Sequence, residues 1–385
     1  MTNNTQAQAQ HTTVAEIQAA HLSVIRETKK EMVPAHELFG FSDEIKGVAM
    51  LPINVDRHPL TPATQDDFVF TENLVRRTLL SMACGDSIML VGEKGTGKTS
   101  FATQLHARLN KPMIGITGSN GVDDSYLLGC KTIQDGDVKA VDGVLSYAYR
   151  HGLTCLIDEI CTLRPGVLVG INDILQGDDL VSLKHHGIDP NLDPKDLLSM
   201  KGGMNIVRHP QFRLFATDNT GGKQSRDPRF VGLNTQNAAV RSRFTSLKVG
   251  FMTPEKEMMA LKGASVAFAN KKKLQTSVSD FNIQSMVEFA FRFRKAFASY
   301  EVSDNISFRE IKRWAIKLMM YGDLDDSFVD AIYTNLEESD QVAAMNEFKA
   351  TFGRDLILPE EYSISVASQA DAFIKRNIEA QKAVA

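Results

Sequence analysis

Residues 92–99 read Gly-Glu-Lys-Gly-Thr-Gly-Lys-Thr, which matches the pattern G-x-x-x-x-G-K-[S/T]. The glycines allow the backbone to curl so that its N–H groups face inward, where they can donate to phosphate oxygens. A helix predicted to begin near Lys98 would add the positive end of its dipole. The apolar run 88–91 precedes the loop, so the expected order is strand, loop and helix, which argues against a chance match. The sequence therefore predicts a phosphate-binding loop.

The residues of this loop have expected parts in nucleotide binding. Lys98 is predicted to reach the β- and γ-phosphates, and the Thr99 hydroxyl is predicted to ligate Mg²⁺. The predicted cofactors are therefore ATP and Mg²⁺. The residues assigned to the nucleotide are Gly92, Glu93, Lys94, Gly95, Thr96, Gly97, Lys98, Thr99 and Ser100.

Short apolar runs alternate with stretches of helical pattern along the middle of the chain. The predicted strands are the runs at 88–91, 113–116, 153–157 and 213–216. Strands that alternate with helices are typical of a parallel sheet covered on both faces. After Pro254 the apolar residues fall at helical spacing. The predicted fold class is α/β, a P-loop domain whose parallel sheet is flanked by helices, followed by a small all-helical lid domain.

These patterns divide the chain into consecutive segments. They are a disordered or helical N-terminal tail (1–33), a connector punctuated by prolines (34–75), a large α/β domain (76–252), a helical lid domain (253–355) and a C-terminal extension (356–385). Within the large domain, glycines and prolines at about 180–207 favour a hairpin or a long loop over a continuous helix.

The composition is that of an ordinary soluble globular protein. Of 385 residues, 43% are hydrophobic and 23% are charged, with a formal net charge of -4. A protein dedicated to nucleic acid would normally carry a basic surplus, so nucleic acid is not the expected partner. The four cysteines form no CxxC pair, which argues against zinc and favours a reducing compartment. Neither a signal peptide nor a membrane span is predicted, so the expected location is the cytoplasm.

Two apolar strands end in polar residues that could act on the nucleotide. The strand 154–157 is followed by Asp158 and Glu159. Two acids after an apolar run are common, but this pair follows a phosphate-binding loop along the chain. Asp158 is therefore predicted to hold Mg²⁺ through water, and Glu159 to polarise the attacking water. Beyond the run 213–216, Asn219 is predicted to orient that water, the alternative being an ordinary polar strand end.

Three arginines are candidates for contact with the γ-phosphate. A guanidinium is always charged and forks onto phosphate oxygens, and one supplied across a subunit interface can raise hydrolysis on the order of 10³–10⁵-fold. Arg243 is the first choice for this finger and Arg241 the second, the alternative being a surface salt bridge. Arg309 follows Ser307 at the start of a predicted helix and is expected to report bound nucleotide to the helical domain, or to lie in solvent.

Two weaker signals are interpreted as structural. Phe289 and Phe293 fall on one helical face among basic residues, which favours a buried stripe over a nucleic-acid contact. His185, His186 and His209 have no cysteine or carboxylate at convincing ligand spacing, so they are predicted to be exposed loop residues.

The set and order of motifs resembles the MoxR branch of the AAA+ ATPases, and within it the CobS type, the ATPase subunit of aerobic cobaltochelatase. The resemblance covers about residues 36–355. Ser242 stands where MoxR proteins usually have Asp, and 160–163 also depart from the chelatase subunits. The stretches that carry the resemblance are His36–Gly40, Asp142–Leu145, Arg164–Pro165, His209–Thr217 and Ala350–Gly353.

This resemblance implies a ring, as a hexamer, with ATP bound and hydrolysed between subunits. It also implies a helix-2 insert at about 180–207 and a partner that carries a von Willebrand factor A domain. The predicted function is an ATP-hydrolysing AAA+ ring motor that remodels or drives a protein partner, one form being a metal-chelatase-like complex. The alternatives are a nucleic-acid-associated motor built on the same core and a nucleotide-dependent assembly scaffold.

Overall fold

The computed structural model of the protein describes residues 29–134, 137–186, 205–220 and 238–359. The chain divides into two compact units, residues 1–251 and 252–385. In chain order the strands are β1 (Lys30–Pro34), β2 (Met50–Asn54), β3 (Ser87–Val91), β4 (Met113–Thr117), β5 (Gly129–Gln134), β6 (Asp137–Asp142), β7 (Thr154–Asp158), β8 (Leu180–Ser182), β9 (Asn205–Val207), β10 (Arg213–Asp218) and β11 (Phe244–Lys248).

Helices connect these strands and make up the second unit. In the first unit they are α1 (Ala35–Phe39), α2 (Glu72–Cys84), α3 (Lys98–Arg108), α4 (Asp124–Leu128), α5 (Val144–His151), α6 (Pro165–Gly170), α7 (Asn172–Gln176) and α8 (Ala238–Arg241). In the second unit they are α9 (Pro254–Lys272), α10 (Asp280–Ala298), α11 (Phe308–Tyr321), α12 (Leu324–Ala331) and α13 (Glu338–Phe352).

The centre of the first unit is a five-stranded sheet in the order β11-β3-β10-β7-β4, and every neighbouring pair is parallel. The four predicted strands are all present, and each lies within two residues of its expected bounds. Strand β11 was not predicted. It lies at the sheet edge and buries only Phe244 and Leu247, so it lacks the continuous apolar run of the inner strands.

Among the described residues, three antiparallel strand pairs accompany the sheet. Strands β1 and β2 form the first pair, in which Met32 lies opposite Pro52. They span the end of the predicted tail and part of the segment 34–75, which was predicted as a connector. At the ends of the segment 180–207, β8 pairs with β9, while 187–204 lie outside the described residues. The β5–β6 hairpin was not predicted. It lies in the connection between β4 and β7, whereas the predicted insert at 180–207 lies between β7 and β10.

The second unit is helical and is built around aromatic side chains. Phe289 and Phe293 of α10 are fully buried with Trp314 of α11, as the sequence pattern predicted. Phe289 and Trp314 meet edge to face with ring centroids 5.7 Å apart, a favoured aromatic geometry. The beginning of the 356–385 segment packs on this unit through Leu356 and Leu358, and residues from 360 onward lie outside the described part of the chain.

Candidate nucleotide-binding site

The loop between β3 and α3 has a backbone that only glycine adopts readily. Gly95 and Gly97 both have φ near 83°, in the left-handed region, and Gly97 caps the amino end of α3. Gly92 is required for a different reason. A Cβ atom there would lie 2.1 Å from the carbonyl oxygen of Val249, at the end of β11. The loop is therefore held against the sheet, with the amino end of a helix behind it.

The Lys98 side chain is buried at the centre of this loop. Its Nζ donates to the carbonyl oxygens of Gly92 at 2.8 Å and Glu93 at 2.9 Å, and to Asn219 Oδ1 at 2.7 Å. Burial lowers the pKa of Lys98, and the nearby carboxylates of Asp158 and Asp218 oppose that shift. The fold thus brings together the loop lysine and the asparagine at the end of β10, two residues that sequence analysis assigned to one site.

Thr99 and Asp158 meet where β7 ends beside the start of α3. The Thr99 hydroxyl donates to Asp158 Oδ1 at 2.7 Å. A hydroxyl and a carboxylate are hard oxygen donors of the kind that Mg²⁺ binds together with substrate phosphates. The two side chains assigned to the metal from sequence therefore lie in contact, and their chemistry fits that ion.

Glu159 has an unusual backbone conformation, with φ 54° and ψ 49°. Its N–H donates to Thr217 Oγ1 at 2.9 Å, and its carbonyl oxygen accepts from the Thr162 N–H at 2.9 Å and from the Thr162 hydroxyl at 2.8 Å. The Glu159 side chain is exposed to solvent. An exposed carboxylate next to Thr99 and Asp158, on a backbone held from both sides, can act on a water molecule.

Thr217 and Asp218 also belong to the site but were not among the residues predicted from sequence. Thr217 donates to Asp158 Oδ1 at 2.5 Å, and Asp218 is fully buried and accepts from the Thr220 N–H at 2.7 Å. The signal that could have located Thr217 is strand register, because Ala216 pairs with Ile157 in adjacent parallel strands. The residues that follow, Thr217 on β10 and Asp158 on β7, are therefore neighbours.

Cys161 lies close to the acidic residues of the site but is not reactive. Its thiol is fully buried, and burial together with the charge of Asp218 raises its pKa to about 11. A thiol with that pKa stays protonated at neutral pH, so the group acts as a small apolar side chain.

The two finger candidates lie at the opposite edge of the sheet from the phosphate-binding loop. In the parallel β11–β3 pair, Phe244 is opposite Ser87, and Lys248 is opposite Val91, the residue before the loop. Arg243 directly precedes Phe244, so five residues of strand, about 16 Å, separate its backbone from the start of the loop in its own subunit. The Arg243 guanidinium donates to the carbonyl oxygen of Ala239. The structure therefore does not bring Arg241 or Arg243 together with Lys98.

Arg309 belongs to the second unit, at the start of α11. Ser307 caps this helix in a reciprocal capping box with Glu310: the Arg309 N–H donates to Ser307 Oγ at 3.2 Å, and the Ser307 N–H donates to Glu310 Oε2 at 2.6 Å. The Arg309 side chain is exposed. Its position in the helix start is that predicted from sequence.

The histidine prediction was wrong in two of three cases. His186 and His209 are buried, and only His185 is exposed, where its ring lies 3.0 Å from Asp124 Oδ2. Within the described ranges no group of three or more His, Cys, Asp or Glu side chains is arranged to hold a metal ion. None of the described helices is both long and apolar enough to cross a membrane.

Comparison with known proteins agrees with this geometry. Residues 87–244 match the family model for the AAA domain of the dynein-related subfamily. The chain is 25% identical over 346 residues to the aerobic cobaltochelatase subunit CobS of Sinorhizobium sp., covering 88% of this chain and 95% of that protein. It is 26% identical over 171 residues to protein NorQ of Paracoccus denitrificans, covering 44% of this chain and 55% of NorQ.

Among solved structures, a mutant of RuvB from Thermotoga maritima aligns with a TM-score of 0.44 and 17% identity, over 77% of this chain and 87% of that one. The family match includes the phosphate-binding loop, the acids Asp158 and Glu159 at the end of β7, and the end of β10. The chain therefore carries an AAA domain of the dynein-related subfamily at residues 87–244, and over most of its length it is similar to the cobaltochelatase subunit CobS.

Proposed function

We propose that this protein hydrolyses ATP to ADP and phosphate with Mg²⁺, as a subunit of an AAA+ ring that remodels or drives a protein partner. The observation that carries the proposal is a pair of contacts at the phosphate loop: Lys98 Nζ donates to Asn219 Oδ1 at 2.7 Å, and the hydroxyl of the next residue, Thr99, donates to Asp158 Oδ1 at 2.7 Å. These residues come from three separate parts of the chain. Few sites other than a nucleotide-hydrolysing one need a buried lysine, a hydroxyl and a carboxylate beside a glycine loop.

Each residue has a role that follows from its chemistry. Lys98 would leave its present acceptors for the β- and γ-phosphate oxygens of ATP, and Thr99 and Asp158 would hold Mg²⁺, which neutralises phosphate charge when bound. Glu159 would accept a proton from the attacking water, and Asn219 would orient that water. The loop N–H groups from Gly92 to Ser100 would surround the phosphates.

Besides Lys98 and Mg²⁺, a third positive charge, an arginine, would contact the γ-phosphate from a neighbouring subunit. Arg243 is the preferred finger and Arg241 the second candidate. The register of β11 on β3 supports this assignment, because an arginine at the amino edge of the sheet cannot reach a loop at the carboxyl edge of the same subunit. We propose a hexameric ring in which each ATP lies between two subunits, and Arg309 as the lid residue that responds to bound nucleotide.

The identity of the partner rests on similarity alone. The relative that aligns over 95% of its length is a cobaltochelatase subunit, so we propose a chelatase-like complex whose second component carries a von Willebrand factor A domain. The free cysteines Cys84, Cys130, Cys155 and Cys161 suit a cytoplasmic protein.

Light scattering and ATP turnover, measured on the same samples with and without Mg-ATP, test the proposal. We expect the wild type to assemble into a discrete ring with Mg-ATP and to hydrolyse ATP as it assembles, whereas Lys98→Ala does not hydrolyse ATP. A monomer that hydrolyses ATP at full rate would contradict the interface mechanism. Turnover that DNA or RNA stimulates and that falls steeply with salt would favour the nucleic-acid motor instead.

A further inference from the structure

We propose that Thr217 is a positioning residue for ATP hydrolysis, whose hydroxyl sets the orientation of both Asp158 and Glu159. The inference rests on the proposed ATPase function and adds to it a residue on β10 that need not touch the nucleotide. This one hydroxyl group contacts both acidic residues: it donates a hydrogen bond to Asp158 and accepts one from Glu159.

The hydrogen bonds of Thr217 are fully specified. Its Oγ1 donates its only hydrogen to Asp158 Oδ1 at 2.5 Å and accepts the Glu159 N–H at 2.9 Å. The residue is 1% exposed, so water does not replace either partner. Because a buried polar group that loses its partner is costly, this hydroxyl is held in one rotamer.

The hydrogen bond from Thr217 helps to fix the plane of the Asp158 carboxylate. Its Oδ1 accepts from the hydroxyls of both Thr99 on α3 and Thr217 on β10. No described residue donates a hydrogen bond to Oδ2, so this second oxygen is available to a water of the metal ion. Removing the Thr217 hydroxyl leaves Thr99 as the only side-chain donor, and Thr99 is the residue expected to move onto Mg²⁺.

The Thr217 hydroxyl also helps to hold Glu159 in its left-handed backbone conformation. Such a conformation is unfavourable for a residue with a side chain, and it persists where surrounding contacts enforce it. Thr217 holds the Glu159 N–H, and Thr162 holds its carbonyl oxygen. The peptide is therefore anchored on both sides, and the direction in which the Glu159 side chain leaves the backbone depends on Thr217.

Thr217 also links the acids to the lysine. Two residues further along the same strand end, Asn219 accepts from Lys98 Nζ at 2.7 Å. A displacement of β10 against β7 would therefore change the lysine contact and both acid contacts together. This arrangement makes the end of β10 a single rigid support for the metal-binding and water-activating groups.

The test compares Thr217→Val, which keeps the shape and removes the hydroxyl, with Thr217→Ser, which keeps the hydroxyl. For each variant we would measure kcat, KM for ATP, the Mg²⁺ concentration that gives half-maximal turnover, and binding of a fluorescent ATP analogue. For Thr217→Val we expect kcat to fall roughly 10–100-fold and the Mg²⁺ requirement to rise, as when a residue that orients a metal ligand is lost. Analogue binding should change little, and Thr217→Ser should restore most of the kcat.

Thr245→Val is the matched control, because Thr245 also donates a hydroxyl to a carboxylate, Asp86 at 2.7 Å, but at the amino edge of the sheet. It should leave kcat and the Mg²⁺ requirement unchanged. Unaltered kcat and Mg²⁺ dependence in Thr217→Val would overturn the inference while the ATPase assignment stood, provided Glu159→Gln abolishes turnover. Loss of analogue binding and of thermal stability in both Thr217 variants would also overturn it, since that pattern marks a purely structural residue. If the wild type itself shows no turnover, the proposed function fails first.

Discussion

A Cβ atom on Gly118 would lie 2.5 Å from the carbonyl oxygen of Glu159. It would also lie 2.6 Å from Thr162 Oγ1, and the Gly118 N–H donates to the carbonyl oxygen of Asp158 at 2.7 Å. The chain just after β4 is thus packed directly against the peptide that carries the proposed water-activating acid. Only a residue without a side chain permits this approach.

We therefore predict that Gly118→Ala displaces the Glu159 backbone and lowers kcat, while ATP binding is retained because the phosphate loop is untouched. A misplacement of about 1 Å in a catalytic group can cost on the order of 100-fold in rate. Steady-state turnover and binding of a fluorescent ATP analogue measure the two effects. The control is Gly115→Ala on the same segment, where an added Cβ meets no atom within 4 Å. Equal kcat values for the two variants would show that the close approach has no bearing on hydrolysis.

Arg243 and the phosphate loop lie at opposite edges of the sheet. We therefore predict that two variants, each inactive alone, restore activity to one another when they are mixed. Lys98→Ala should abolish ATP binding, and Arg243→Ala should keep binding but lose turnover by on the order of 10³-fold or more. Mixed rings contain interfaces that join an intact loop from one variant to an intact arginine from the other. Mixing the two inactive proteins should therefore restore part of the wild-type turnover.

The same mixing experiment with Arg241→Ala in place of Arg243→Ala decides between the two arginines. If Arg243 acted within its own subunit, no mixture would regain activity, since each subunit would keep its own defect. Light scattering on the mixtures confirms that mixed assemblies form.

A buried ion pair in the helical unit gives a prediction about stability. Arg294 donates to both carboxylate oxygens of Glu257, at 2.7 and 2.8 Å, and the side chains are 7% and 1% exposed. Removing one partner leaves an uncompensated buried charge, at a cost of about 3–5 kcal/mol. Arg294→Met should therefore destabilise this unit strongly, and the double variant with Glu257→Leu should recover most of the loss.

Fluorescence of the single tryptophan, Trp314, reports the unfolding of this unit because it lies in its core. The matched control is Arg292→Ala in the neighbouring exposed pair with Glu288, which should cost under about 1 kcal/mol. If Arg294→Met were as mild as Arg292→Ala, the buried pair would contribute no more than a surface pair.

His106 on α3 predicts a loss of stability in mild acid. The imidazole is fully buried beside Phe215, and burial lowers its pKa from 6.5 to about 4. Below pH 6.5 the unfolded chain binds a proton that the folded chain does not, so the free energy of unfolding falls as the pH drops towards 4. The difference of the two pKa values corresponds to about 3 kcal/mol at pH 4.

Urea unfolding at pH 7 and pH 5, followed by circular dichroism, measures this effect, with Trp314 fluorescence reporting the helical unit separately. His106→Phe removes this titrating group and should reduce the loss of stability of the first unit between pH 7 and pH 5. His58→Phe, at an exposed position, should leave that dependence as in the wild type. An identical pH dependence in the wild type and His106→Phe would rule out the buried imidazole as its cause.

Much of the candidate site was predictable from local sequence. The glycine loop, the two acids after an apolar run and the asparagine at a strand end are each short patterns whose chemistry follows from residue type. The α/β class and the helical second unit followed from apolar periodicity. The edge strand β11 and the β5–β6 hairpin lacked a continuous apolar run and were missed. The buried His186 and His209 were assigned to solvent because their burial depends on distant neighbours.

The sequence by itself determined which groups could handle a nucleotide, since a loop that surrounds phosphate needs glycines, a lysine and a hydroxyl at set spacing. Only the tertiary structure decided how these groups support one another. Thr217 meets Asp158 because β10 pairs with β7 in one register, and Arg243 faces away from its own loop because β11 pairs with β3. Strands buried on both faces are apolar at nearly every position, so they carry no alternation from which register can be read. The register is set by the packing of the whole sheet, and it brings motifs that are distant in sequence together in one site.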